Sequence, residues 1–141
     1  MEGFADYGHA IIAMAAVAVF QLLLSPLSAL RKTSAGVVPG AQPPADYADA
    51  CYRWDRAYGN LTENMGPFVA VTVAAILAGA APFWVNLFAA LFLMARLVVA
   101  AVHVTGMGKP ERSVRSFTYV AGWLMCLSLA YLAIKAVLTG G

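Results

Sequence analysis

Charge is what this chain has least of. Only 11% of its 141 residues are Asp, Glu, Lys or Arg, while 62% are hydrophobic. A water-soluble domain of this length needs roughly twice that charge to cover its surface, so a freely soluble fold is excluded. The few basic residues form no run interleaved with aromatics, which removes a nucleic-acid interface. There are two cysteines, Cys51 and Cys126, and their separation gives neither a metal-ligand nor a redox spacing. Each reads as a small free hydrophobe, and no metal site is expected. The N-terminus, Met1-Glu2-Gly3-Phe4-Ala5-Asp6, is acidic and lacks the basic n-region of a secretory signal. Ten-residue alternation of polar and apolar positions, the mark of a membrane barrel, is missing as well.

What remains is a set of long apolar runs. A bilayer core takes about 20 helical residues to cross. Four stretches reach that length: residues 7–30, 52–81, 83–105 and 113–138, the second only when its polar first turns are included. They predict an all-α integral membrane protein, a four-transmembrane-helix bundle forming one domain over residues 1–141. Pro26 is placed to kink the last turns of the first span. Residues 31–51 make a long loop rich in breakers (Gly36, Pro39, Gly40, Pro43 and Pro44), expected to be mobile. Gly79-Ala80-Ala81-Pro82 is a tight turn that makes spans two and three an antiparallel hairpin. Gly106 to Pro110 forms the next loop, with Glu111 and Ser113 suited to start the last helix.

Lysine and arginine set the orientation. Arg31, Lys32, Arg53 and Arg56 flank the first loop, and Lys109, Arg112 and Arg115 flank the third. Only Lys135 lies near the far end. Both basic loops are therefore expected on the cytoplasmic side, with both termini outside. The aromatics Tyr52, Trp54 and Trp84 read as interfacial belt residues.

Polar residues inside a span are costly and mark sites. Arg56, Asn60, Glu63 and Asn64 follow one another at steps of four, three and one, which keeps them on one side of a helix. Counting at about 1.5 Å per residue from the hairpin turn puts Glu63 in the cytoplasmic part of the core, with Arg96 at a similar level and His103 two turns nearer the cytoplasm. Arg115, Ser116 and Tyr119 share a face in the first turns of the last span. Spans two, three and four thus bring polar groups to one level, as a cup open to the cytosol requires. An ionised Glu63 suits an ammonium group. Arg56 and Arg31 suit carboxylates. Asn60 and Asn64 fix orientation, and Arg115 at a helix start would lower the pKa of a thiol beside it. The set fits a small zwitterion with two carboxylates, one amine and one thiol.

Plainer readings stand beside these. Arg56 and Glu63 alone would make a structural ion pair. Arg96 is better explained by a pairing with Glu63 or a backbone carbonyl than by ligand contact. His103 reads equally as an interfacial or a ligand-contacting residue, and Lys109 and Arg112 as topology anchors.

The residues also carry a resemblance. Arg56-Ala57-x-x-Asn60-x-x-Glu63-Asn64 followed by Pro67-Phe68 resembles the signature of the membrane-associated proteins in eicosanoid and glutathione metabolism. Ala95-Arg96 and Arg115-Ser116-x-x-Tyr119 continue the likeness, and Leu127-Ser128-Leu129-Ala130-Tyr131 is similar to microsomal glutathione transferase. The likeness extends from Ser28 over nearly all the rest of the chain. It implies a homotrimer of four-helix subunits in membrane lipid, with glutathione as co-substrate at subunit interfaces and a hydrophobic small molecule as second substrate. Arg56, Asn60 and Glu63 match positions that hold glutathione, Asn64 and Tyr119 match contacts to it, and Arg31 matches a basic position ending span one. Arg115 matches the arginine that stabilises the thiolate, with Ser116 beside it, and His103 falls where other members often carry tyrosine. Gly59 stands where prostaglandin E synthases have a further arginine, and Val99 where members often have histidine or tyrosine. Those departures point from eicosanoid synthesis towards a general glutathione transferase or peroxidase. A short, alanine-rich chain also suits a bacterial member, whose membrane would be the cytoplasmic one. The alternative is a non-catalytic lipid-binding or scaffold protein of the same fold. A small multidrug exporter ranks lower, because such proteins carry a coupling glutamate in their first span and this one has no acid there.

Overall fold

A computed structural model of the chain describes residues 2–38, 40–107 and 114–140. After a single turn, α1 (Glu2–Ala5), four long helices follow: α2 (Gly8–Ser34), α3 (Ala50–Leu77), α4 (Pro82–Thr105) and α5 (Val114–Thr139). No strand occurs among the described residues. Helices α2, α4 and α5 are long and apolar enough to cross a bilayer. At 28 residues α3 also has the length, but Arg53, Asp55, Arg56 and Glu63 crowd its first half. The chain is an integral membrane protein, and its apolar exterior follows from that solvent. Leu22, Leu23 and Leu30 on α2 and Phe117, Trp123 and Leu138 on α5 stand outward, where lipid rather than water covers them.

Small residues let the helices approach closely. Ala10, Ala13, Ala57, Ala75 and Ala89 are almost fully buried, and without large side chains at those crossings the backbones come near enough for dispersion forces to hold them. Phe68 of α3 stacks on Phe92 of α4 with ring centroids 3.9 Å apart. Val17, Leu61, Val85 and Leu129 are buried in the same core cluster.

The two ends of the bundle are fixed differently. At the hairpin end, Gly79 takes a left-handed φ of 69°. The Gly79 N–H then reaches the Ile76 carbonyl at 3.1 Å and the Ala80 N–H reaches that of Ala75 at 3.0 Å. This pair of bonds is the Schellman arrangement that ends a helix at glycine. Pro82 then starts α4, where its missing N–H costs nothing. The start of α2 is tied to this turn. The Tyr7 hydroxyl donates to the Ala80 carbonyl at 2.6 Å, and the Asn86 amide accepts from the Ala10 N–H and donates to the Asp6 carbonyl. At the opposite, loop end, Lys32 of α2 pairs with Asp55 of α3 at 2.5 Å, both largely buried.

Some boundaries differ from the sequence expectation. Helix α2 runs through Pro26 to Ser34, so Thr33 and Ser34 are helical rather than loop. Their hydroxyls bond back to the carbonyls of Ala29 and Arg31, completing the last turn. Helix α3 begins at Ala50, earlier than residue 52, because the Asp49 carboxylate caps it by accepting from the Cys51 N–H at 2.9 Å. It ends at Leu77, leaving 78–81 as turn. Lys109, Arg112 and the expected helix start at Glu111 and Ser113 lie outside the described residues.

Candidate functional site

The polar groups collect at the loop end. The first half of α3, the last turns of α4 and the first turns of α5 lie together there, because antiparallel packing brings the N-termini of α3 and α5 beside the C-terminus of α4. Between them opens a cleft of about 540 Å³. One wall is Arg56, Asn60 and Glu63 from α3, and the facing wall is Arg115, Ser116 and Tyr119 from α5. His103 of α4 stands between the walls, and Tyr47, Tyr52 and Val120 complete the lining. Small-molecule sites commonly have volumes of roughly 300–1,000 Å³ and a few convergent polar groups.

Beneath the cleft lies Arg96, the largest fully buried side chain. Its Nη1 donates to Asn60 Oδ1 at 2.9 Å and its Nη2 to the Tyr119 carbonyl at 2.9 Å. The guanidinium also lies over the rings of Phe92 (5.0 Å) and Tyr119 (5.2 Å). One cation therefore joins α3, α4 and α5 directly under the site. This is the carbonyl pairing expected for Arg96. Glu63 is not its partner and instead lies 3.6 Å from Arg56. More than half of the Glu63 side chain is accessible in the cleft, so the Arg56–Glu63 contact is open enough to exchange for a ligand.

Cations and rings alternate across the cleft mouth. The Arg115 guanidinium sits 4.6 Å from the centre of the Tyr47 ring, close enough for a cation–π attraction. The Tyr47 hydroxyl shares a hydrogen bond with Nδ1 of the buried His103, and the Tyr47 ring meets Tyr52 edge-on at 5.6 Å. Tyr47 is held from behind too. Arg53 Nη1 donates to its carbonyl at 3.0 Å and to that of Ala48 at 2.7 Å. Gly106 makes room for that arginine, since a Cβ at that position would lie 2.9 Å from Arg53 Nε.

The profile of the MAPEG family matches residues 10–135, nearly the whole chain. The chain belongs to the MAPEG family. It is thus a membrane protein of the family concerned with glutathione and eicosanoid metabolism. No curated protein matches it.

In this MAPEG chain the structure gathers Arg56, Asn60, Glu63, His103, Arg115, Ser116 and Tyr119 around one cleft. It does not bring Arg31 or Asn64 there. Arg31 is exposed at the end of α2 and lies over the Trp54 ring at 5.5 Å, so Trp54 packs within the protein rather than serving as a free belt residue. The Asn64 amide turns back along its own helix and donates to the Asn60 carbonyl at 2.7 Å. Tyr52, expected in the belt, is cleft wall instead. Tyr47 carried no sequence motif. The signal that bears on it is turn chemistry. The Asp46 carboxylate accepts from the Ala48 N–H at 2.8 Å and Asp49 caps α3, which fixes the three residues before the helix on its first turn.

Proposed function

We propose that this protein is a membrane glutathione transferase whose cleft holds glutathione between α3 and α5. The reading rests chiefly on one observation: an acidic and amide-bearing wall at Glu63 and Asn60 faces a cationic wall at Arg115 across a cavity of suitable size. The glutathione amine would take Glu63 as its acceptor, displacing Arg56, which turns to a carboxylate of the same ligand. Asn60 is oriented by Arg96 and offers its amide N–H to the peptide backbone of the ligand. Arg115 lies at the start of α5, where the unpaired N–H groups of the helix add positive potential. A thiol set there ionises more readily than a free one, and the thiolate is the nucleophile.

With an aryl halide the thiolate forms a C–S bond, the halide leaves with the bonding pair, and the thiol proton passes to solvent. With a lipid hydroperoxide it bonds to the terminal oxygen, the O–O bond breaks, and the departing alkoxide takes a proton from solvent to leave as the alcohol, giving the sulfenic acid of glutathione. A second glutathione then converts the sulfenic acid to disulfide and water. The hydrophobic partner enters from the bilayer, towards which α5 presents Phe117 and Val120.

The same reading includes a fourth crossing by α3, a cleft open to the cytosol and assembly as a homotrimer. Arg31, exposed and outside the cleft lining of its own chain, is the residue a neighbouring copy would use.

Calorimetry in detergent tests the binding half. Glutathione should bind the wild type, and Glu63→Ala should weaken it by about tenfold, the cost of a charged hydrogen bond. Unchanged affinity would leave the Arg56–Glu63 contact as a structural pair. Binding without conjugation of a chromogenic aryl halide would favour a non-catalytic role.

A further inference from the structure

A second cavity, of about 820 Å³, opens at the hairpin end between α4 and α5. Its α5 side carries Leu124, Leu127, Tyr131 and Lys135, spaced by three, four and four residues along one helix face. Trp84 and Phe88, one turn apart, form the α4 side. Leu124, Leu127, Tyr131 and Trp84 are each about half exposed or more, so the groove is open along its flank, towards lipid.

Its charge is confined to one end. Ser128 and Thr139 also line it, but their hydroxyls donate to the carbonyls of Leu124 and Lys135 in their own helix, at 2.9 Å each. The Lys135 ammonium is left as the charged handle. It makes no ion pair among the described residues, and no other described Lys or Arg lies at this end of the bundle. From Lys135 down to Leu124 the helix rises about 16 Å, close to half of a ~30 Å hydrocarbon core. The groove thus spans one leaflet, with a cation at headgroup level and apolar walls below.

We propose that this groove is a binding site for an anionic phospholipid of the leaflet at the hairpin end, with one acyl chain between α4 and α5 and its phosphate on Lys135. An acyl chain matches the apolar wall of Phe88, Leu124 and Leu127, and an anionic headgroup matches a lysine with no ion pair among the described residues. The site is separate from the polar cleft and does not depend on the transferase reading.

Trp84 supplies the probe. The full-length Trp54→Phe, Trp123→Phe variant, with Trp84 as its remaining tryptophan, is reconstituted in phosphatidylcholine vesicles. These contain brominated phosphatidylglycerol or, at equal mole fraction, brominated phosphatidylcholine. Phosphatidylglycerol should be favoured about fivefold in the binding that quenches Trp84, the preference one lysine gives at a membrane surface. Lys135→Gln should abolish the preference while quenching persists. Equal quenching by both lipids in the parent overturns the proposal in favour of ordinary annular lipid. Quenching by neither overturns it in favour of a face covered by another copy of the chain. Native mass spectrometry of the unmutated protein against Lys135→Gln gives the same comparison without the tryptophan changes. Retained phosphatidylglycerol should exceed phosphatidylcholine only when Lys135 is present, and equal retention in both proteins counts against the site.

Discussion

Arg96 holds Asn60 by a 2.9 Å hydrogen bond from Nη1 to Oδ1, and through that bond a buried cation on α4 orients an amide in the cleft wall on α3. The approach depends on Gly122 of α5, where a Cβ would fall 2.1 Å from Arg96 Nη2. Gly122→Ala should therefore displace the guanidinium and destabilise the protein by about 1–3 kcal/mol, the usual cost of overpacking a core. Thermal unfolding in detergent measures it. In an Arg96→Leu background the same alanine should cost far less, because the two residues share one contact. Additive effects would remove Arg96 as the reason for the glycine.

The buried Lys32–Asp55 pair behaves differently from a surface salt bridge. Removing one partner, as in Asp55→Asn, takes a carboxylate away from a largely buried ammonium and should lower stability by about 3 kcal/mol. Replacing both together, Lys32→Met with Asp55→Leu, should cost less than either single change, since both charges leave the low-dielectric interior together. Unfolding midpoints of the three variants decide between this and simple additivity.

Tyr47 connects the loop to the cleft, with its ring under Arg115 and its hydroxyl on His103. Tyr47→Leu should reduce turnover of an aryl halide by about tenfold through loss of the cation–π contact, with little change in glutathione affinity. Tyr47→Phe keeps the ring and should lose less. Equal losses in both variants would assign the effect to the hydroxyl and His103 instead.

The helices and the α3 stripe were legible because membrane solvent imposes simple rules. Apolar length marks a span, and a charge inside one marks a reason for its presence. The same rules brought Arg115, Ser116 and Tyr119 to the correct level, since depth follows from counting at a fixed rise. Direction within a level was harder. Arg31 and Asn64 do not line the cleft: one leans over Trp54 and the other bonds its own helix. Such choices are made by local contacts, a cation–π approach in one case and a hydrogen bond in the other, that spacing does not encode. Tyr47 escaped for a further reason. A segment rich in Gly and Pro suggests a mobile loop, and what holds its last residues, Tyr47 and Ala48, is the grip of Arg53 on their carbonyls, a contact made possible by the missing side chain at Gly106.

The central claim is that Arg115 ionises a thiol held by α3. A thiolate absorbance titration of glutathione bound to the wild-type protein in detergent tests it most directly. The bound thiol should ionise at least about one pH unit below the ordinary value of ~8.5. With Arg115→Ala the midpoint should return towards that value while glutathione stays bound. A bound thiol that titrates like free glutathione in the wild type, or identically with and without Arg115, would contradict the account.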